Sequence, residues 1–324
     1  MQKRILVLGA GFLGAAITRA LVDDGYAVSV LTRSTPSTLT TQQLHGASVL
    51  VADVGELAVL AGLIPGTDHV VYAVGGSSPA ASDLDPANDA ATVLAPLVRV
   101  LELLRLRPQT AITYLSSGGT VYGNADFIPT REDVAPQPIS SYGILKLTAE
   151  RYLGMYARNF GLTVQVLRIA NVYGPGQPAT RGQGVVSHLF RCAITGCPLP
   201  LFGSPASVRD YLHVDDVARV VADLLGLDEV PCPLNVGTGL GHTVKEVADI
   251  ITGVTTLPIA IEPLNERMFD VTNNVLDCSA LVGLTGFRAT PLTAGLERTW
   301  SVLSQFQQVD TSRTALGRLQ TVGS

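Results

Sequence analysis

The chain has 324 residues, of which 47% are hydrophobic and 15% charged, and a formal net charge of −5. Such a chain folds around a large buried sheet, which excludes a disordered segment and a small stapled scaffold. The acidic balance leaves no basic footprint, so nucleic acid is excluded as a partner and any phosphate group has to be held by a few placed arginines and backbone amides. Cys192, Cys197, Cys232 and Cys278 lack C-x-x-C spacing, which predicts free thiols in a reducing, cytoplasmic setting and no zinc.

Lys3-Arg4 and the apolar run after them have the outline of a secretory leader. The run carries Gly9, Gly11 and Gly14, however, and continues through Arg19 to Gly25 as an amphipathic helix with a glycine stop, so it reads as the first strand and helix of the fold. Residues 4–8 form the strand, and Gly9-x-Gly11-x-x-Gly14 follows at once. In that context the glycines permit a tight turn and let a pyrophosphate approach a helix N-terminus, which predicts a dinucleotide site.

A second strand ends in Thr32 and Arg33, where an acidic residue would bind the adenosine 2′-hydroxyl. Arginine accommodates a 2′-phosphate, which leans toward NADP; NAD with Arg33 stacked on adenine stays open. The third strand, 47–51, leads to Asp53 and Val54, and the Asp53 carboxylate meets the adenine amino group, caps the segment starting at Gly55, or does both. Strand four, 69–74, breaks into Gly75-Gly76-Ser77-Ser78 at the edge where cofactor and substrate lie in such folds. An apolar stripe from Val93 to Leu104 predicts a helix over 87–106, and strand five, 111–115, ends in Ser116-Ser117-Gly118-Gly119-Thr120.

A Pro-rich stretch over 128–139 leads into a helix carrying Tyr142 and Lys146, four residues apart and so on one face. A cation beneath a phenol favours the phenolate, lowering a pKa of ~10 toward the range a general base needs. Strand six closes at 169, and the alternation of strand and helix predicts an α/β, Rossmann-type doubly wound parallel sheet over 1–170. Short helices at 185–196, 215–227, 243–252 and 291–306 predict a smaller substrate lobe over 171–307, with elements able to return to the sheet. Residues 308–324 read as a loose tail.

Taken in order, the glycine turn, the Ser/Thr-rich end of strand five, Tyr142-x-x-x-Lys146, Arg168-x-x-Asn171-Val-Tyr-Gly-Pro-Gly and Ser207-Val-Arg-Asp-Tyr-Leu-His-Val-Asp-Asp216 resemble the extended short-chain dehydrogenase/reductase superfamily. Within it the chain is similar to the NAD(P)-dependent nucleotide-sugar epimerase/dehydratase branch, over residues 3–306. The resemblance implies that Tyr142 takes a proton from a sugar hydroxyl while nicotinamide takes the hydride, and that Lys146 binds the nicotinamide ribose and lowers the Tyr142 pKa. It implies cofactor contacts at Gly9, Gly11, Phe12, Leu13, Gly14, Thr32, Arg33, Asp53, Val54 and Ala73. For a nucleotide-diphosphate sugar it implies Ser77, Val186, Asn171, Arg209 and Arg267, the last three at or near the diphosphate, with Leu199 and Phe202 at the base. An arginine fork suits a diphosphate, and the other role open to Arg209 is a salt bridge to Asp210 or Asp215.

Two positions depart from the family pattern. Leu8 replaces its first glycine, and Gly118 stands where the Ser or Thr sharing the transferred proton belongs, which passes that task to Ser117 or Thr120. The Asp-Glu pair that dehydratases add is absent at Gly119-Thr120. The expected activity is a UDP-hexose 4-epimerase working through a 4-keto intermediate. The alternative is an NADPH-dependent reductase of a 4-keto sugar nucleotide; a dinucleotide sensor without catalysis is opposed by the intact Tyr142 and Lys146. The resemblance also implies a homodimer through the helices after 86 and 140, and no run reaches the length of an uncharged membrane span.

Overall fold

The computed structural model describes residues 2–75, 79–179, 184–227, 229–265 and 270–305. Six strands alternate with helices through the first half: β1 (Arg4–Leu8), β2 (Ala27–Thr32), β3 (Ser48–Val51), β4 (His69–Tyr72), β5 (Ala111–Ser117) and β6 (Val164–Ile169). The second half adds β7 (Asn171–Tyr173), β8 (Leu199–Phe202), β9 (Val208–His213), β10 (Leu234–Val236), β11 (Gly241–Thr243), β12 (Ile261–Leu264) and β13 (Asn273–Asn274). The main sheet is parallel, in the order β10-β6-β5-β4-β1-β2-β3.

In β1, Ile5, Leu6, Val7 and Leu8 are all buried, as a parallel strand covered on both faces requires. Alternate residues serve opposite layers. Ile5 and Val7 pack with Ile17 and Leu21 of the Phe12–Asp23 helix and with Val217, Val221 and Leu224 of the Val214–Leu225 helix. Leu6 and Leu8 pack with Leu97 and Leu101 of the Ala95–Leu104 helix and Leu153 of the Ser141–Phe160 helix. Each such side chain contributes ~1.5–3 kcal/mol by leaving water.

The helix expected over 87–106 starts at Pro86–Asp89, widens into a π-type turn at Ala90–Leu94 and resumes as Ala95–Leu104. Pro96 supplies the reason: it lacks an N–H, and its ring would clash with the carbonyl four residues back in a regular α-turn. Beyond Asn171, β9 pairs with β7, β11 and β13, and β8 pairs with β12. A separate core gathers Val186, Leu189 and Phe190 of the Val185–Thr195 helix against Val247, Ile251 and Leu296, with Phe190 stacked on Trp300 at 6.1 Å. The expected tail over 308–324 lies outside the described residues.

Candidate active site

β1 lies between β2 and β4, so the chain departs to either side of it and leaves a crevice at the carboxyl ends of the strands. Gly9 fills the base of that crevice. Its N–H donates to the Leu31 carbonyl at 2.8 Å, its φ is +98°, and a Cβ there would stand 2.9 Å from the carbonyl oxygen of Ala73. A Cβ on Gly14 would stand 1.8 Å from the Gly9 carbonyl oxygen, which is why the helix can sit directly on the turn. Gly11 is different: nothing lies within 4 Å of its Cβ position, and as N-cap it offers no side chain to the first-turn amides. Open space in front of uncapped amides fits a pyrophosphate.

The neighbouring cofactor candidates surround this turn. Phe12 and Leu13 are half-buried, Thr32 is buried with its hydroxyl on the Ser34 carbonyl at 3.3 Å, and Arg33 is exposed. Asp53 is half-buried and caps a turn, its carboxylate accepting from the Gly55 N–H at 2.7 Å while its own N–H donates to Glu56 at 3.0 Å. Val54 packs at the edge of the adjoining core.

The Tyr142 helix begins where Ser140 Oγ accepts from the Gly143 N–H at 3.2 Å and Asp83 Oδ1 accepts from the Ser141 N–H at 2.7 Å. Gly143 lets this end press on the turn after β5, since a Cβ there would stand 2.9 Å from the Thr120 carbonyl. Lys146 is buried, its Nζ donating to the Leu115 carbonyl at 2.8 Å, 4.9 Å from the Tyr114 ring centroid and 5.7 Å from that of Tyr142. Burial outweighs the raising influence of the Glu150 and Asp89 carboxylates and leaves Lys146 lowered to about 8.

The expected lowering of the Tyr142 phenol is not met. Burial, which outweighs the lowering influence of Ser117 and is reinforced by the Asp89 carboxylate, leaves it pushed up to about 12. Desolvation of the phenolate wins because the Lys146 ammonium is engaged by the Leu115 carbonyl and lies toward the ring. Of the two candidate hydroxyls, Ser117 is the one that lies beside Tyr142 and eases its pKa downward, whereas Thr120 Oγ1 is buried without a hydrogen-bond partner among the described residues. A side chain at Gly118 is shut out, with Leu276 Cδ1 2.5 Å and the Arg168 carbonyl oxygen 2.9 Å from the Cβ position.

On the substrate side, Asn171 opens β7 with its Oδ1 3.4 Å from where a Gly119 Cβ would stand, and its Nδ2 donates to the Asp210 carbonyl at 3.4 Å. Arg209 makes neither expected salt bridge. Its guanidinium donates to the carbonyls of Val208 at 3.0 Å, Thr272 at 2.7 Å and Val271, and burial holds it below its ordinary pKa. Asp210 is taken up by Thr238, Gly239 and Leu276, and Asp215 pairs with Arg19 at 2.6 Å. Leu199 is buried in β8 and Phe202 is 40% exposed at its end. Val186 lines a cavity of about 150 Å³ with Gly176, Phe190 and Thr299. Ser77 and Arg267 lie outside the described residues. Reading the sequence passed over Glu150, although its place four residues after Lys146 puts it on the same helix face.

The family model described as NAD dependent epimerase/dehydratase matches residues 5–237. A UDP-glucose 4-epimerase of Mycolicibacterium smegmatis is 30% identical over 305 residues, covering 91% of this chain and 97% of its own. The crystal structure of UDP-glucose 4-epimerase from Thermotoga maritima with UDP-glucose is similar at TM-score 0.86 and 30% identity, over 94% of this chain and 99% of the other. That of UDP-glucose 4-epimerase from Thermus thermophilus in complex with NAD is similar at TM-score 0.84 and 29% identity, over 91% and 97%.

Proposed function

Because the chain belongs to the NAD-dependent epimerase/dehydratase family, we propose that it is a UDP-hexose 4-epimerase that removes and returns hydride at C4 of the sugar. The observation that carries this reading is Tyr142 with Ser117 beside it and the Nζ of the buried Lys146 5.7 Å from its ring centroid, on the crevice edge of the same sheet that presents Gly11. NAD, when bound, would supply the hydride acceptor and donor for C4. Gly9, Gly11 and Gly14 hold its pyrophosphate, with Phe12, Leu13 and Ala73 beside the turn; Arg33 and Asp53 border the adenosine.

Tyr142 takes the C4 hydroxyl proton as the hydride leaves and restores it on return. Only the phenolate can accept that proton, and burial holds the phenol up at about 12, so Ser117 and the charged Lys146 act by stabilising the phenolate that takes it. Asn171 and Arg209 bind the diphosphate; an arginine carries more N–H donors than these carbonyls take. Residues 1–170 thus serve the dinucleotide and 171–307 the sugar nucleotide. The reading includes a cytoplasmic homodimer, whose interface would cover the exposed Ile144 and Phe160 of the Tyr142 helix. Among the described residues no helix is long and apolar enough to cross a membrane, and no cluster of His, Cys, Asp or Glu could hold a metal.

The test is to identify the dinucleotide released from the purified protein, then to incubate the protein with UDP-glucose or UDP-galactose without added cofactor. Interconversion with NAD released is the expected outcome. Inert UDP-hexoses together with stoichiometric NADPH consumption on a 4-keto sugar nucleotide would replace the epimerase by the reductase.

A further inference from the structure

Tyr142, Lys146 and Glu150 fall at i, i+4 and i+8 of one helix and share a face. Each meets part of the same strand end. Tyr142 faces the Ser117 side chain, Lys146 Nζ donates to the Leu115 carbonyl at 2.8 Å, and Glu150 Oε1 accepts from Ser116 Oγ at 2.5 Å, between the other two. Glu150 is in turn gripped from β6 by Arg168, whose Nη2 donates to Oε2 at 2.7 Å and whose Nε lies 3.2 Å from both carboxylate oxygens. Arg168 Nη1 continues to the Tyr122 hydroxyl at 2.9 Å, and that hydroxyl donates to Asn235 Oδ1 of β10 at 2.8 Å. The side chains of the ion pair are only 5% and 7% exposed. A buried pair of this kind stabilises a fold little more than apolar residues of equal volume would, so stability alone does not account for its place.

We propose that Glu150 is a positioning residue of the reaction: through Ser116 it anchors the end of β5, so that the Leu115 carbonyl and the Ser117 hydroxyl stay in place for Lys146 and Tyr142. As a statement about turnover this rests on the epimerase reading. Charge adds to geometry. The groups facing Lys146 are Tyr142 and Glu150 of its own helix, Tyr114 and the Leu115 carbonyl of β5, and Asp89 of the Pro86–Asp89 segment, with Arg168 of β6 behind Glu150. Of the two carboxylates that oppose the effect of burial on Lys146, Glu150 has the larger influence.

The chain holds three lysines, Lys3, Lys146 and Lys245, so carbon-13 labelling at lysine Cε yields a spectrum assignable with Lys3→Arg and Lys245→Arg. In Glu150→Gln the Lys146 signal is expected to titrate about one pH unit below the wild type, with the alkaline limb of kcat following it and KM unchanged. Ser116→Ala leaves Glu150 paired with Arg168; there kcat is expected to fall about tenfold with KM and the Lys146 titration unmoved. An unshifted titration in folded Glu150→Gln, or wild-type kcat in Ser116→Ala, overturns the proposal. Should circular dichroism show Glu150→Gln unfolded, Ser116→Ala decides. A wild-type protein that converts no UDP-hexose defeats the epimerase reading instead, and the lysine titration still tests Glu150.

Discussion

Gly118 leaves no room for the hydroxyl that the family pattern places there, and the obstruction comes chiefly from Leu276, far along the chain, with the Arg168 carbonyl oxygen behind it. Gly118→Ser is therefore expected to lower activity and to cost about 1–3 kcal/mol in urea unfolding, as overpacking does. Combined with Leu276→Ala, which alone costs about 2–5 kcal/mol, the loss should be smaller than the sum; strict additivity would remove Leu276 as the cause. The departure at Gly118 is visible in the sequence, but the choice of Ser117 over Thr120 is not, because it depends on which hydroxyl the turn after β5 aims at Tyr142. Spacing likewise pairs Tyr142 with Lys146 and says nothing of burial, which reverses the expected direction of the phenol shift. Tyr142→Phe should reduce kcat about 10²–10⁴-fold while UDP-glucose binding stays near the wild-type value; retained turnover would take Tyr142 out of its role. Lys146 is charged below about 8 and neutral above it, so kcat should decline as pH rises through that value. A flat profile to pH 10 would show that its charge is not needed.

The Tyr142 helix is fixed at both ends, by Ser140 before it and by Gly161 after it with φ +68°. Both signals stand in the sequence as a serine ahead of the periodic run and a glycine behind it. Asp83 does not, since its carboxylate reaches the Ser141 N–H from a different helix. Ser140→Ala should lower stability by about 1 kcal/mol by chemical denaturation with only a modest loss of kcat, because Asp83 still holds the first amide. Adding Asp83→Ala should free this end and cut kcat far more than either change alone; independent effects on kcat would mean that the cap does not place Tyr142. The strands of the second half resisted reading for a physical reason. β11 spans three residues and β13 two, too few for alternation to show, and their partners are strands of distant sequence. The main strands were legible because burial on both faces makes each a continuous apolar run.

At the scale of the molecule, the change of texture at Asn171 is not a place to cut. The Val214–Leu225 helix forms part of the layer over β1, where Val217, Val220, Val221 and Leu224 are all at most 1% exposed. Arg19 pairs with Asp215, and Lys3 Nζ donates to the Leu225 carbonyl at 2.8 Å. β10 covers the open edge of β6, with Leu234 opposite Leu167 and Val236 opposite Ile169. A fragment ending at residue 170 would expose the partners of all these groups. At ~1.5–3 kcal/mol for each buried aliphatic side chain, losing the four helix residues alone matches the ~5–15 kcal/mol by which a domain is stable. The fragment is thus expected to bind a hydrophobic dye and to unfold without a cooperative transition, whereas the full chain should show one transition by circular dichroism and by tyrosine fluorescence alike. A fragment that unfolds cooperatively, or a full chain with two separated transitions, would show that the halves are stabilised independently and that their shared core contributes little.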